Sequence, residues 1–490
     1  MAAPAAAVER REVPWPIQLS YAAGEMPITL IQGLIGTFIL FFYNSVMGLP
    51  AELAGFGVTA GLVVDAVLDP YIGFRSDRSR LRLGRRQSFM LFGALGTGPL
   101  FFLLMSPPHG MDHAALFAWL LVTSVGFRFC AASYRIPYLS LGAELSNDYD
   151  LRTRVIAIRS LFGLTGLLMG NALPFVLFFH KTADGSDAKL RYGGYPKMGI
   201  AFGALMTLCG LVAVFGTQAR KSFGEEHAGK QNVASFFRGM WLFLKNGQFR
   251  VLLVSFTLFM LAVVVNFSLA VHYLKWYARI SDARALSAIQ ASFGVGALTG
   301  VAAWIFVSRQ GEKRNLMMSS TFCLSALLSC TAIFIGEGTL LGTGNPAPLL
   351  AGNFVAGLFA SALWVLPFSM MADVIDEDEL RSGARREGAC FGIMNFGEKL
   401  AAGGALQLSG LLLTRFVHLQ PGTDVQTAET VRRIGISYGF VSGGLLAVSA
   451  LLLLFYKLDR RRVAGIQARL AGRQSAAAVS QGDSGANRAP

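Results

Sequence analysis

The chain has 490 residues, 53% of them hydrophobic and 15% charged, with a mean hydropathy of +0.50. That composition is too apolar and too poor in charge for an ordinary soluble protein of this length. The 43 Lys and Arg exceed the 29 Asp and Glu, for a net charge of +14.

The first 16 residues, MAAPAAAVERREVPWP, contain no apolar core, so no cleavable signal is expected and the first long span serves as the insertion signal. Apolar stretches of about 18 to 28 residues then recur, each able to cross a hydrocarbon layer of about 30 Å. They lie at 17–43, 52–74, 88–107, 114–140, 155–180, 197–218, 248–275, 285–308, 316–336, 348–372, 387–415 and 434–457. The expected fold is therefore an all-α membrane protein of twelve transmembrane helices. A polar segment at 219–247 separates a six-helix bundle at 17–218 from a second at 248–457. Within it, Ser235 to Leu244 reads either as a short interfacial helix or as a plain linker. The end of the chain, AGRQSAAAVSQGDSGANRAP, is low in bulky apolar residues, and the tail 458–490 reads as disordered.

Charge placement tests this count. With both termini cytoplasmic, the inner segments hold Arg10, Arg11, the arginines from Arg75 to Arg86, Arg152, Arg154 and the basic residues from Arg220 to Arg250. They also hold Arg309, Lys313, Arg314, Arg381, Arg385, Arg386 and the tail from Lys457. Inner basic residues exceed outer ones by roughly three to one, which fixes the orientation. The positive charge follows from topology, and no nucleic-acid partner is needed to explain it. All five cysteines fall in spans without metal-ligand spacing and read as packing residues.

Asp65 and Asp69 lie inside the second span, in LVVDAVLDPYIG. A carboxylate at that depth costs at least a few kcal/mol, so an ion or proton site is the default reading. Four residues apart, the two share one helix face. Pro70 removes an N–H and crowds the carbonyl of Ala66, which leaves a backbone acceptor beside them. Such a pair can hold one small cation between helices, as metal ligands if the ion is Na⁺. The alternative is a pair neutralised by Arg or Lys for packing.

The loop GFRSDRSRLRLGRR follows, and Gly73, Asp77, Arg78, Gly84, Arg85 and Arg86 resemble the charge-pairing signature of major facilitator carriers. That architecture places a substrate site near the midplane between two halves. The blocks DAVLDPYIGFRSDRSRLRLGRR, PYLSLGAELSNDYDLRTRVIAIRSLFG and MADVIDEDELRSGARREGACFGIMNFGEKL resemble the glycoside-pentoside-hexuronide cation symporter family, over roughly residues 15 to 457. The resemblance implies coupling Na⁺, Li⁺ or H⁺ at Asp65 and Asp69, with Arg159 and Lys399 lining a sugar cavity. It further implies a small-molecule partner, sugar or glycoside, and no cofactor beyond the coupling ion. The expected setting is a bacterial inner membrane and the expected state a monomer.

Departures from the melibiose-type members redirect the substrate reading. Thr29 and Arg135 stand where those members carry sugar-binding acids, and Leu139 replaces a stacking aromatic. Ala132 replaces an ion-binding hydroxyl, with Ser133 beside it as the substitute ligand. Arg135, Arg159 and Lys399 outnumber Asp65 and Asp69, so an acidic substrate such as a hexuronide would restore balance. Alternatively, Arg135 pairs with Asp65 or Asp69 and stands in for the cation.

Glu25, Gln32, Tyr43 and Asn44 of the first span could face the cavity, as could Asn266, His272 and Trp276 of the seventh, and interhelical hydrogen bonding is the plainer reading for each. Arg128 reads as a partner of Glu144 or of the inner surface. Trp364 and Pro367 mark a bend in the tenth span, and Trp364 is counted with the substrate residues. The acidic run Asp373, Asp376, Glu377, Asp378 and Glu379 beside Arg381, Arg385 and Arg386 reads as a cytoplasmic charge gate that breaks when the cavity opens inward. Two other functions compete. A lysolipid carrier of the same fold would keep the lysine of span eleven, and a Mg-dependent prenyltransferase would use DAVLD and DVIDED as paired diphosphate motifs.

Overall fold

A computed structural model describes residues 13–472 except 78, 80, 82, 85, 146–148, 180–187, 219–240, 242, 309–310, 384–385, 422, 424 and 471. Among the described residues a helix occupies each expected span, because in hydrocarbon a backbone must satisfy its own hydrogen bonds. The first half comprises α1 (Trp15–Val46), α2 (Ala51–Asp77), α3 (Gln87–Leu104), α4 (His113–Glu144), α5 (Tyr149–Phe178) and α6 (Gly194–Gly216). The second comprises α7 (Gly247–Tyr277), α8 (Ala283–Val307), α9 (Lys313–Phe334), α10 (Ala347–Ser382), α11 (387–417) and α12 (Ala428–Phe455). By length and apolarity, 11 of the helices qualify as membrane spans. The remaining one, α2, is 27 residues long and carries Asp65 and Asp69.

Polar residues mark where the helices begin. The side chains of Asp112, Asn246, Asp282 and Thr427 accept from free N–H groups in the first turns of α4, α7, α8 and α12. α10 stops at Gly383, whose φ of 73° suits a residue without Cβ.

Within the first half α3 packs on α4 and α6, α2 on α4, and α1 on α5; within the second, α8 packs on α10, α7 on α11 and α12, and α9 on α12. The halves meet along α2–α11, α5–α8 and α1–α7. Close approach at the first of these seams depends on Gly55, where a Cβ would lie 2.7 Å from the Leu406 carbonyl oxygen.

The apolar core reveals the shape. At the face opposite the chain ends, one cluster joins both halves through residues such as Phe41, Leu62, Leu269, Trp276 and Leu406. Toward the face that carries the chain ends the cores separate. Tyr21, Tyr134 and Tyr138 belong to one confined to the first half, and Phe249, Met370 and Tyr456 to one confined to the second. The molecule is thus sealed at the far face and divided at the terminal face.

One expectation is corrected here. The tail is helical over 460–470 (α13) rather than disordered from 458. Its apolar side chains Val463, Ile466 and Leu470 join the core of the second half, which supplies the burial that composition alone concealed. Most of 219–247 and the tail beyond 472 lie outside the described residues.

Candidate functional site

The site grows from the α2–α11 seam. α2 presents Asp65 and Asp69 one turn apart, and Lys399 of α11 reaches them from the other half. Its Nζ donates to Asp69 Oδ2 and stands 2.8 Å from Asp65 Oδ2. Asp65 and Lys399 are 6% and 8% exposed, whereas the Asp69 side chain is 21% exposed, so the triad is buried on all but the Asp69 side. Asp69 Oδ1 is buried without a hydrogen-bond partner. One ammonium therefore serves two carboxylates and leaves acceptor capacity unused.

Beside the triad lies a small cavity walled by α1, α2, α3, α4 and α6, with Gln32, Asp65, Thr97, Arg128, Tyr134 and Arg135 among its lining. Arg128 and Arg135, seven residues apart on α4, present both guanidiniums to the same space. No carboxylate lies within ion-pairing distance of either among the described residues. Arg159 differs, because Glu25 of α1 stands 3.6 Å away and balances it. Among the described residues, three cations thus stand with two carboxylates at the cavity and the triad once the Glu25–Arg159 pair is set aside.

The structure brings together Asp65, Asp69, Lys399, Gln32 and Arg135. Lys399, rather than Arg135, neutralises the aspartates. Ser133 is not among the residues lining this cavity, and its hydroxyl donates to the Phe129 carbonyl at 2.8 Å within its own helix. The hydroxyl of Thr29 likewise turns back to the carbonyls of Glu25 and Met26, at the contact of α1 with Gly166 of α5. Trp364 is 40% exposed and lines no part of the cavity.

Among the described residues, Asp373, Glu377 and Asp378 of the acidic run of α10 form ion pairs within the second half. Asp373 pairs with Lys313 at 2.6 Å, Asp378 with Arg386 at 2.8 Å, and Glu377 with Arg381 and Arg462. Asp376 accepts from Gln467 of α13 at 3.1 Å. Arg86 is buried at the start of α3. Arg78, Arg85 and Arg385 lie outside the described residues, as does the side chain of Asp77. The DAVLD carboxylates point to Lys399 and those of DVIDED to Lys313 and Arg386, so the two motifs do not converge on one site.

Two functional residues stand out only in the structure. Arg128 lines the cavity, and its seven-residue spacing from Arg135 was the available signal; the side chain of Glu144 lies outside the described residues. Glu25 serves Arg159, a pairing between helices that no spacing along one helix reveals.

Two six-helix halves around a buried ion-pair cluster define a multi-pass membrane carrier of the major facilitator fold. Residues 20–460 match the family described as MFS/sugar transport protein, and the chain belongs to it. The isoprimeverose transporter of Lactiplantibacillus pentosus is 23% identical over 463 residues, covering 93% of this chain and 91% of that protein. The sodium-dependent lysophosphatidylcholine symporter 1 of Gallus gallus is 24% identical, covering 91% and 87%. The crystal structure of a D-xylose-proton symporter shares the fold, with a TM-score of 0.65 at 14% identity, covering 91% of this chain and 98% of that one.

Proposed function

We propose that this carrier couples a cation, H⁺ or Na⁺, to the symport of an acidic sugar or glycoside by alternating access. The observation that carries the reading is the charge balance of the cavity: Lys399 occupies the aspartates, and among the described residues no carboxylate forms an ion pair with Arg128 or Arg135. Unbalanced guanidiniums in a low dielectric are costly, and a carboxylate matches their fork geometry. A uronate or glucuronide supplies that carboxylate, with Gln32 and Thr97 available for its hydroxyls.

Coupling follows from competition for the same oxygens. A cation that takes Asp65 and Asp69 must displace the ammonium of Lys399, which frees the lysine and alters the α2–α11 seam. Linkage then requires substrate to tighten cation binding by the factor with which cation tightens substrate binding. Both chain ends face the cytoplasm of a bacterial inner membrane in this scheme, and the carrier works as a monomer without enzymatic activity or cofactor. The acidic run of α10 closes the cytoplasmic side when the halves swing together.

A second reading is a lysophospholipid carrier, favoured by the Gallus gallus relative. A lipid phosphate would also answer Arg128 and Arg135. The test is uptake into vesicles under imposed Na⁺ or pH gradients, with neutral glycosides, uronates and lysophospholipids offered in parallel. Gradient-driven uronate uptake is expected. Good transport of neutral glycosides with none of uronates overturns the acidic-sugar reading, and uptake of lysophospholipid alone establishes the second.

A further inference from the structure

At the terminal face α12 ends on lipid-exposed side chains, Leu454 and Phe455, at 53% and 64% exposure. Lys457 follows at once, and its N–H donates to Gln248 at the start of α7. α13 therefore begins at the depth where hydrocarbon gives way to headgroups. It is amphipathic: Val463, Ile466 and Leu470 pack inward, while Arg460, Arg461, Arg462 and Arg469 are exposed. Between α13 and the end of α10 runs an open cleft of about 470 Å³, lined by Glu377, Arg381, Arg462, Gly465 and Arg469 among others.

The charges in this cleft do not cancel. Glu377 is 3% exposed and already accepts from Arg381 at 2.9 Å, Arg462 at 3.3 Å and Asn246 at 3.4 Å. Arg381 and Arg462 meet this one carboxylate and Arg469 lines the cleft beside them, and each guanidinium offers five N–H donors. We infer that the cleft binds the phosphate of an anionic phospholipid headgroup. Guanidinium forks suit phosphate, and a basic amphipathic segment at the membrane surface is drawn to anionic lipid. The bound headgroup bridges Arg462 and Arg469 of α13 to Arg381 of α10, and so fastens the tail to the helix that bears the acidic run. This inference depends on the membrane setting and is independent of which substrate is carried.

The test is the melting temperature of the full-length protein in detergent, titrated with phosphatidylglycerol or phosphatidylcholine. Phosphatidylglycerol should raise it and phosphatidylcholine should not. In the double variant Arg462→Ala, Arg469→Ala the half-saturating phosphatidylglycerol fraction should rise roughly tenfold. Because Arg462 also holds Glu377, a second variant leaves every ion pair in place. A Cβ at Gly465 meets no atom within 4 Å, so Gly465→Asp sets a carboxylate into the cleft without a clash. It should abolish the lipid preference, whereas Arg432→Ala, at the opposite end of α12, should keep it. Equal stabilisation by both lipids overturns the inference, as does an unchanged phosphatidylglycerol response in both cleft variants. An equal shift from inorganic phosphate overturns the lipid as the ligand.

Discussion

At the scale of single residues, Lys399 decides how the buried carboxylates behave. Removing one partner of a buried ion pair leaves an uncompensated charge, typically at a cost of about 3–5 kcal/mol. Lys399→Met should therefore lower the melting temperature in cation-free buffer at neutral pH. Added Na⁺ or Li⁺, or acidification, should recover much of the loss, because either supplies the missing positive charge. A loss that neither treatment relieves would make Lys399 a packing residue. Asp69→Asn tests the coupling itself: Asp65 and Lys399 still balance, so the protein should insert and bind substrate, yet fail to accumulate it against a gradient. Full gradient-driven uptake in this variant would remove the symport mechanism. Arg128 and Arg135 bear on specificity. A hydrogen bond to a charged group is worth about 1.5–3 kcal/mol, so Arg128→Gln or Arg135→Gln should raise KM for an acidic substrate roughly tenfold to a hundredfold. KM for a neutral analogue should change little, a contrast that parallel uptake kinetics would measure.

At the scale of elements, the α2–α11 seam turns those charges into a structural signal. Thr59 donates to the Gly403 carbonyl at 2.8 Å across it, and Gly55 lets α2 lie against Leu406. Gly55→Val should force the seam apart at an overpacking cost of about 1–3 kcal/mol. The population then shifts toward the arrangement open at the far face. Labelling of Thr59→Cys by a membrane-impermeant maleimide from that face should rise, and unchanged labelling would mean the seam does not govern the transition. The helices themselves were readable in the sequence, since runs of apolar residues long enough to span a bilayer admit few alternatives. Asp65 and Asp69 were readable for the same reason, as charges where charge is expensive. Partners were not. A helix enclosed on several sides has no single polar face, so nothing along α11 says that Lys399 meets α2 rather than a sugar. The π-helical turns at Phe42–Val46 of α1 and Tyr273–Tyr277 of α7 were hidden too, because they are changes of register imposed by packing. The tail helix escaped notice because its three apolar anchors, Val463, Ile466 and Leu470, are spread among small and basic residues.

At the scale of the whole molecule, function requires the shared core at the far face to come apart and the separate cores at the terminal face to meet. The π-helical ends of α1 and α7 are where that exchange is concentrated. The ring of Phe41 packs edge-on against His272 and tilted against Trp276, and Ser45 Oγ lies 3.4 Å from His272 Nε2 across the two halves. Outside this plug, Arg415 of α11 reaches Glu52 of α2 at 3.1 Å. That exposed pair contributes little by itself, which leaves aromatic packing as the main restraint on opening. Ser45→Cys with His272→Cys, joined by a short thiol-reactive crosslinker, should hold the far face shut. Transport should fall to background and return when a cleavable linker is cut, with either single variant unaffected. Substrate added from the terminal face should still bind the crosslinked protein, because the cavity with Arg128 and Arg135 lies in the part of the molecule that this restraint leaves divided. If the crosslinked carrier transports at the normal rate, α1 and α7 do not separate during the cycle, and the two halves must exchange access by some other motion.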